Sequence, residues 1–176
     1  MVEAVLGGGC FWCLDAALRH LRGVEEVVCG YAGGHVDHPS YAEVRGKKTG
    51  HAEVVRVRFD PAEISYEDLL RIFFTIHDPT TPDRQGHDVG PQYRSIILAV
   101  DAAQEAAARQ VMAEIEAAAI WPAPLVTQLV RLERFWPAEE EHQDYYTRNP
   151  WAGYCRAVIA PKLVEFRQHY AARLKT

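Results

Sequence analysis

"HAEVVRVRFD", residues 51 to 60, alternates without a break: Glu53, Val55, Val57 and Phe59 share one parity, and Val54, Arg56, Arg58 and Asp60 the other. A period of two is that of a strand turning one face to a core. Its neighbours extend this reading into a fold. Upstream, "VEEVVCGY" (24–31) is a second strand. Before it lies a short strand over residues 2–6, broken by the triple glycine at 7–9. From Phe11 onward Leu14, Ala17, Leu18 and Leu21 recur at the spacing of a helix packed on one face, which Gly23 ends. Downstream, "SYEDLLRIFFTIH" (65–77) is a helix capped by Ser65, with Leu69, Ile72, Phe73 and Ile76 as its buried stripe, and "SIILAV" (95–100) is the next strand.

The order strand, helix, strand, strand, helix, strand is that of the split βαβ arrangement. It predicts an α+β fold of ferredoxin-like type, a two-layer sandwich whose βαββαβ core carries both helices on one side of one sheet. Beyond this core the sequence predicts an alanine-rich helix over 102–118 capped by Asp101, an additional strand near 125–133, and a glutamate-led helical segment at 138–147. The turn "RNPWAGYC" and a last helix at 162–173 complete a long C-terminal coil. Two loops, 32–50 and 78–94, have no periodicity, and structureless loops of that length in compact domains are commonly functional. No repeat or low-complexity linker divides the chain, so residues 1–176 read as a single domain, long enough to bury a core unaided.

Composition narrows the function. A net charge of -5 gives no basic footprint for nucleic acid or an anionic membrane, and no apolar run is long enough for a membrane span. The opening "MVEAVLGGGC" lacks the basic region and apolar core of a secretion signal, so the cytoplasm is the expected compartment. Four cysteines are too few and too irregular for a disulfide framework, and in a reducing compartment their chemistry is catalytic, metal-binding or absent. A monomer is expected.

Cys10 sits where the glycine turn meets the first turn of a helix, a place where free backbone N–H groups and the macrodipole favour a thiolate. It is a candidate nucleophile, against the alternative of a buried cysteine in a tight turn. Cys13 completes a C-x-x-C, which suits a redox pair or, with His35 and His38 of "HVDH", a zinc site. Two large aromatics between the cysteines speak against thioredoxin-like exchange, and no second ligand knuckle supports zinc. Cys29, inside an apolar strand, reads as inert packing. Cys155, among Pro, Gly and aromatics, reads as a mobile thiol able to visit another site. Glu53 shares the inward parity of Val55, Val57 and Phe59, so burial would raise its pKa and keep it protonated, able to donate a proton. Tyr41 and Tyr93, in the two long loops, can offer hydroxyls to a polar substrate atom.

Taken together, "GGGCFWC", "GYAGG", "YAEVRGKKTGHAEVVRVRFDP", "HDPTTPDRQGHDVGPQYRS" and "NPWAGYC", in this order, resemble the A-type peptide methionine sulfoxide reductases over nearly the whole chain. The resemblance implies reduction of the S epimer of methionine sulfoxide, free or in proteins, since one enzyme per sulfoxide epimer is that chemistry's established division of labour. It implies Cys10 as nucleophile, Phe11 and Trp12 as the wall that holds the substrate methyl, Glu53 as acid, and Tyr41 and Tyr93 as donors to the sulfoxide oxygen. It further implies Asp88 as a residue that arranges the site and Cys155 as the resolving thiol. Two positions depart from the family pattern: Cys13, where glycine is common, which makes it an alternative resolver, and Asp15, where glutamate is commoner. Thioredoxin is the implied reductant. With no phosphate loop, dinucleotide fingerprint or convincing ligand set, no cofactor and no metal are expected.

Overall fold

In the computed structural model, which describes residues 1–175, the chain builds one six-stranded mixed sheet and a two-stranded hairpin. Strand β1 (Val2–Gly7) leads into helix α1 (Phe11–Leu18), then β2 (Val24–Ala32), the short helix α2 (Tyr41–Arg45) and β3 (Ala52–Phe59). Helix α3 (Tyr66–Ile76) follows, then the hairpin β4 (Arg84–Gln85) and β5 (Asp88–Val89), strand β6 (Ile96–Ala99) and helix α4 (Ala102–Ala117). Strands β7 (Gln128–Arg131) and β8 (Phe135–Pro137), the single turn α5 (Tyr145–Arg148) and helix α6 (Ala160–His169) complete it. The sheet order is β7-β6-β1-β3-β2-β8. Every pairing is antiparallel except β6 with β7.

The alternation along β3 has its expected consequence. Val55, Val57 and Phe59 enter the main core with Ala4 and Leu6 of β1, Ile97 of β6 and the apolar faces of α1, α3, α4 and α6. The other parity, Ala52 and Val54 with Val5, Ile96 and Leu98, forms a smaller cluster covered by Leu132 and Phe135. These four helices therefore lie on one face of the sheet. Helix α3 starts where Ser65 Oγ accepts from the Asp68 N–H (3.0 Å), and α4 where Asp101 accepts from Gln104 (2.8 Å), both satisfying otherwise orphaned first-turn donors.

Three expectations change. The C-terminal region is no coil: residues 140–173 run through α5, a π-helical turn (Cys155–Ile159), α6 and short 3₁₀ turns, and Leu163 and Phe166 bury against the core. The first long loop contains α2, fixed by a Ser40–Glu43 capping box whose signal lies in "SYAE". The additional strand is shorter than predicted, and β8 joins the far edge of the sheet against Gly30–Ala32. No helix among the described residues is long and apolar enough to cross a membrane.

Candidate active site

The glycine turn is held from both sides. A Cβ on Gly8 would fall 2.7 Å from the His77 ring, and one on Gly9 2.6 Å from Gln85, at a φ of +89° that suits glycine. His77 is itself pinned between the Phe73 carbonyl (2.6 Å) and Ser95 Oγ (2.7 Å). The Gly9 N–H donates to the Tyr93 carbonyl (3.2 Å), which ties the second long loop to the turn. Cys10 follows as the N-cap of α1, 8% exposed.

Glu53 reaches this point from β3. Its Oε1 accepts from the Phe11 N–H at 3.1 Å, one residue beyond Cys10, and the side chain is 2% exposed. Burial pushes its carboxyl up to about 8 against the pull of that N–H, with Asp88 and Cys13 adding to the rise. No cation opposes it, so at neutral pH Glu53 keeps its proton. Burial, then Glu53 and Cys10, push the Tyr41 hydroxyl up to about 12, and burial with Glu53 and Asp88 raises that of Tyr93. Both phenols are half-buried and feel the charge of Glu53.

The wall is aromatic. Phe11 is fully buried, with its ring centroid 6.3 Å from that of Tyr41 and 5.8 Å from Tyr31. Trp12 stacks on Tyr145 at 3.8 Å, nearly parallel, and Tyr41 on His142 at 4.3 Å. Glu139 buttresses this wall: one oxygen accepts from the Tyr31 hydroxyl and the other from the Tyr41 N–H, each at 2.9 Å. Sequence reading missed Glu139, His142 and Tyr145 because "EEEHQDYY" (139–146) looks like a charged helix face; aromatics amid acids were its one available signal.

The thiols depart from expectation. Burial pushes the Cys10 thiol well above its ordinary value, and Cys13 and Glu53 add to this, against the Trp12 N–H. A helix terminus alone therefore does not acidify Cys10. Cys13, one turn on and partly buried, is pulled down to about 7 by its hydrogen bond with Cys10 against the effect of burial, with Lys162 and the Tyr154 hydroxyl assisting. Of the two neighbouring thiols, Cys13 is therefore the more acidic. Tyr154 also donates to Asp88 at 2.7 Å, while its oxygen lies 3.8 Å from Cys13 Sγ, which links Asp88 to the thiols. Cys155 does not lie in an open turn: it is 0% exposed, opens the π-helical turn and packs with Ala16 and Ile159 beside Cys13. Burial, with Cys13, raises its thiol.

Cys29 donates to Asp15 and the Phe11 carbonyl at 3.7 Å and is fully buried, a packing thiol as read. His38 packs on the Trp136 ring at 4.3 Å. Among the described residues the one gathering of potential metal ligands is Glu139, Glu141 and His142, with neither Cys10 and Cys13 nor His35 and His38 in it.

A family model described as peptide methionine sulfoxide reductase matches residues 2–174. The peptide methionine sulfoxide reductase MsrA of Granulibacter bethesdensis is 60% identical over 175 residues, which cover 99% of this chain and 95% of that one. Mxr1 from Saccharomyces cerevisiae in reduced form superposes at a TM-score of 0.82 with 33% identity, over 88% of each chain. The same yeast protein in complex with Trx2 superposes at 0.58 with 25% identity, over 82% of this chain and 84% of that one. Sequence likeness that runs almost from end to end, carried on the same backbone, leaves one conclusion: the chain belongs to the peptide methionine sulfoxide reductase family.

Proposed function

We propose that residues 1–176 act as a single domain, working in the cytoplasm, that reduces the S epimer of methionine sulfoxide with Cys10 as nucleophile and Glu53 as acid. The observation that carries this is the Glu53 carboxyl: buried, unpaired with any cation, protonated up to about 8 and bonded to the N–H next to Cys10. A proton donor so placed faces the atom on which charge develops when a sulfoxide loses its oxygen. The architecture supports a ferredoxin-like core, since β6-β1-β3-β2 are antiparallel neighbours with α1 and α3 on one face.

Phe11 and Trp12 receive the substrate methyl, and Tyr41 and Tyr93 donate to the sulfoxide oxygen. The thiolate of Cys13, the more acidic of the two, takes the Cys10 proton; the Cys10 thiolate attacks sulfur, Glu53 protonates the oxygen, and methionine leaves while Cys10 ends as a sulfenic acid. Asp88 holds Tyr154 and through it Cys13.

Cys13 then attacks the sulfenic sulfur, a disulfide forms and water departs. The geometry favours Cys13 ahead of Cys155 because Cys13 lies one helical turn from Cys10, its N–H donating to the Cys10 carbonyl at 3.1 Å, while Cys155 is buried with Ala16 and Ile159. Cys155 next attacks Cys13 by thiol exchange, which frees Cys10 and carries the disulfide away from the substrate pocket. Thioredoxin returns both thiols, a reading supported by the Mxr1 complex with Trx2. Neither a cofactor nor a metal enters any step.

The test is stereochemical. Given both epimers of methionine sulfoxide with thioredoxin, the protein should consume the S epimer alone, and Cys10→Ser should consume neither. Turnover of the R epimer, or by Cys10→Ser, overturns the assignment.

A further inference from the structure

A cavity of about 640 Å³ lies between α1, α3 and α6. That volume suits a small-molecule ligand. Its α1 wall is Cys13, Ala16 and Ala17, its floor includes Leu163 and Phe166, and neither Cys10, Glu53 nor the aromatic wall of the substrate pocket borders it. Cys13, whose N–H bonds the Cys10 carbonyl at 3.1 Å one turn earlier, is thus the thiol that stands next to Cys10 and also lines this cavity.

The charges around the cavity are of both signs. Lys162, exposed on the first turn of α6, lines it together with Asp78 and Glu165 and with the polar Gln85 and His169. Lys162 acts electrostatically on Cys13, so the cation is the charge set to meet a group arriving at that sulfur. An apolar floor, a mixed-charge rim and one sulfur at the edge together describe a particular ligand.

We propose that this cavity binds a low-molecular-weight thiol bearing both carboxylate and ammonium groups, and presents its sulfur to Cys13 of the oxidised enzyme. The proposal rests on Cys13 joining a disulfide during turnover, as set out above. The bound thiolate attacks Cys13 Sγ, the protein S–S bond breaks, and the partner cysteine leaves as thiolate. A second thiolate attacks the ligand sulfur of the mixed disulfide, which frees Cys13 and releases the oxidised ligand; two thiols supply the two electrons. This route needs no protein reductant and leaves the substrate pocket untouched.

The experiment uses the full chain oxidised by one equivalent of methionine sulfoxide and then mixed with glutathione or with 2-mercaptoethanol, an uncharged monothiol. Disulfide loss should saturate with glutathione, and peptide mapping should find the mixed disulfide on Cys13. Lys162→Glu should lower the ratio of the glutathione to the 2-mercaptoethanol rate constant about tenfold, the worth of one charge-assisted bond, and Lys162→Met by less. The ratio cancels any change in the reactivity of the disulfide itself. Non-saturating rates with an unaltered ratio, while mapping still finds Cys13 oxidised, overturn the cavity proposal alone. Mapping that finds Cys10 joined directly to Cys155, with Cys13 reduced, overturns the proposed order of thiols and this inference with it.

Discussion

Two carboxylic acids are buried against helix α1, one turn apart, and they are in opposite states. Glu53, 2% exposed, has a single backbone donor and is pushed up to about 8. Asp15, 1% exposed, is pushed by burial to only about 6 because Arg19 pulls it back, at 2.7 Å, and the Asp144 N–H adds a further bond. At neutral pH the first is an acid holding a proton and the second an anion holding three elements together. Depth does not separate them. What does is whether the helix supplies a cation one turn away, as Arg19 does for Asp15.

Glu53→Gln tests the first half most severely. Loss of the proton donor should slow methionine release in a single turnover by a factor of roughly ten to ten thousand. The same change should stabilise the fold: an acid of ordinary value 4.5 held protonated to about 8 costs about 3 kcal/mol at pH 7, a cost that glutamine escapes while still accepting from Phe11. A variant slower but no more resistant to urea would show that Glu53 is not held neutral.

Cys13→Ser should slow disulfide formation at least about tenfold by removing the thiol one helical turn from Cys10. Cys155→Ser should leave that first disulfide intact and interrupt only its transfer toward thioredoxin. Quenched-flow peptide mapping distinguishes the two. The pH dependence sets the next scale: methionine release should fall about tenfold per pH unit above about 8, where Glu53 ionises, and the profile should lose this limb in Glu53→Gln.

Asp15→Asn gives the smallest effect on chemistry. The folded value of Asp15 lies above its ordinary 3.8, so the native state binds its proton more tightly, and stability falls as pH rises from about 4 to about 6 before levelling off. Removing the charge should erase about 3 kcal/mol of that slope, seen by denaturant titration at pH 4 and pH 7. An unchanged slope would mean that Asp15 contributes no such linkage.

Much of this was visible in the chain itself. The period of two through Val55, Val57 and Phe59 fixed which way residue 53 points, and the caps Ser65 and Asp101 located two helices within a residue. Local pattern failed where tertiary contacts decide. A helix terminus predicted an acidic Cys10, but burial and a neighbouring carboxyl outweigh the macrodipole there. Turn-forming residues in "NPWAGYC" predicted mobility, yet the segment is pressed onto α1 by Ala16 and Ile159, a contact between residues more than a hundred positions apart. Glu139 serves Tyr31 and Tyr41 across a similar separation, and no short-range rule reports that.

The pairing of β2 with β3 sets Tyr31 opposite Glu53, and a slip of one residue would turn every side chain on β3 to the other layer. Valines populate both parities near the start of β3, so a misaligned hairpin could still collapse into a tidy, compact particle. Such a particle would present its acid to the wrong side of the sheet and repair nothing. Fidelity in zipping one hairpin is therefore part of the catalyst's specification, and assays of folding by spectroscopy alone would overlook its loss.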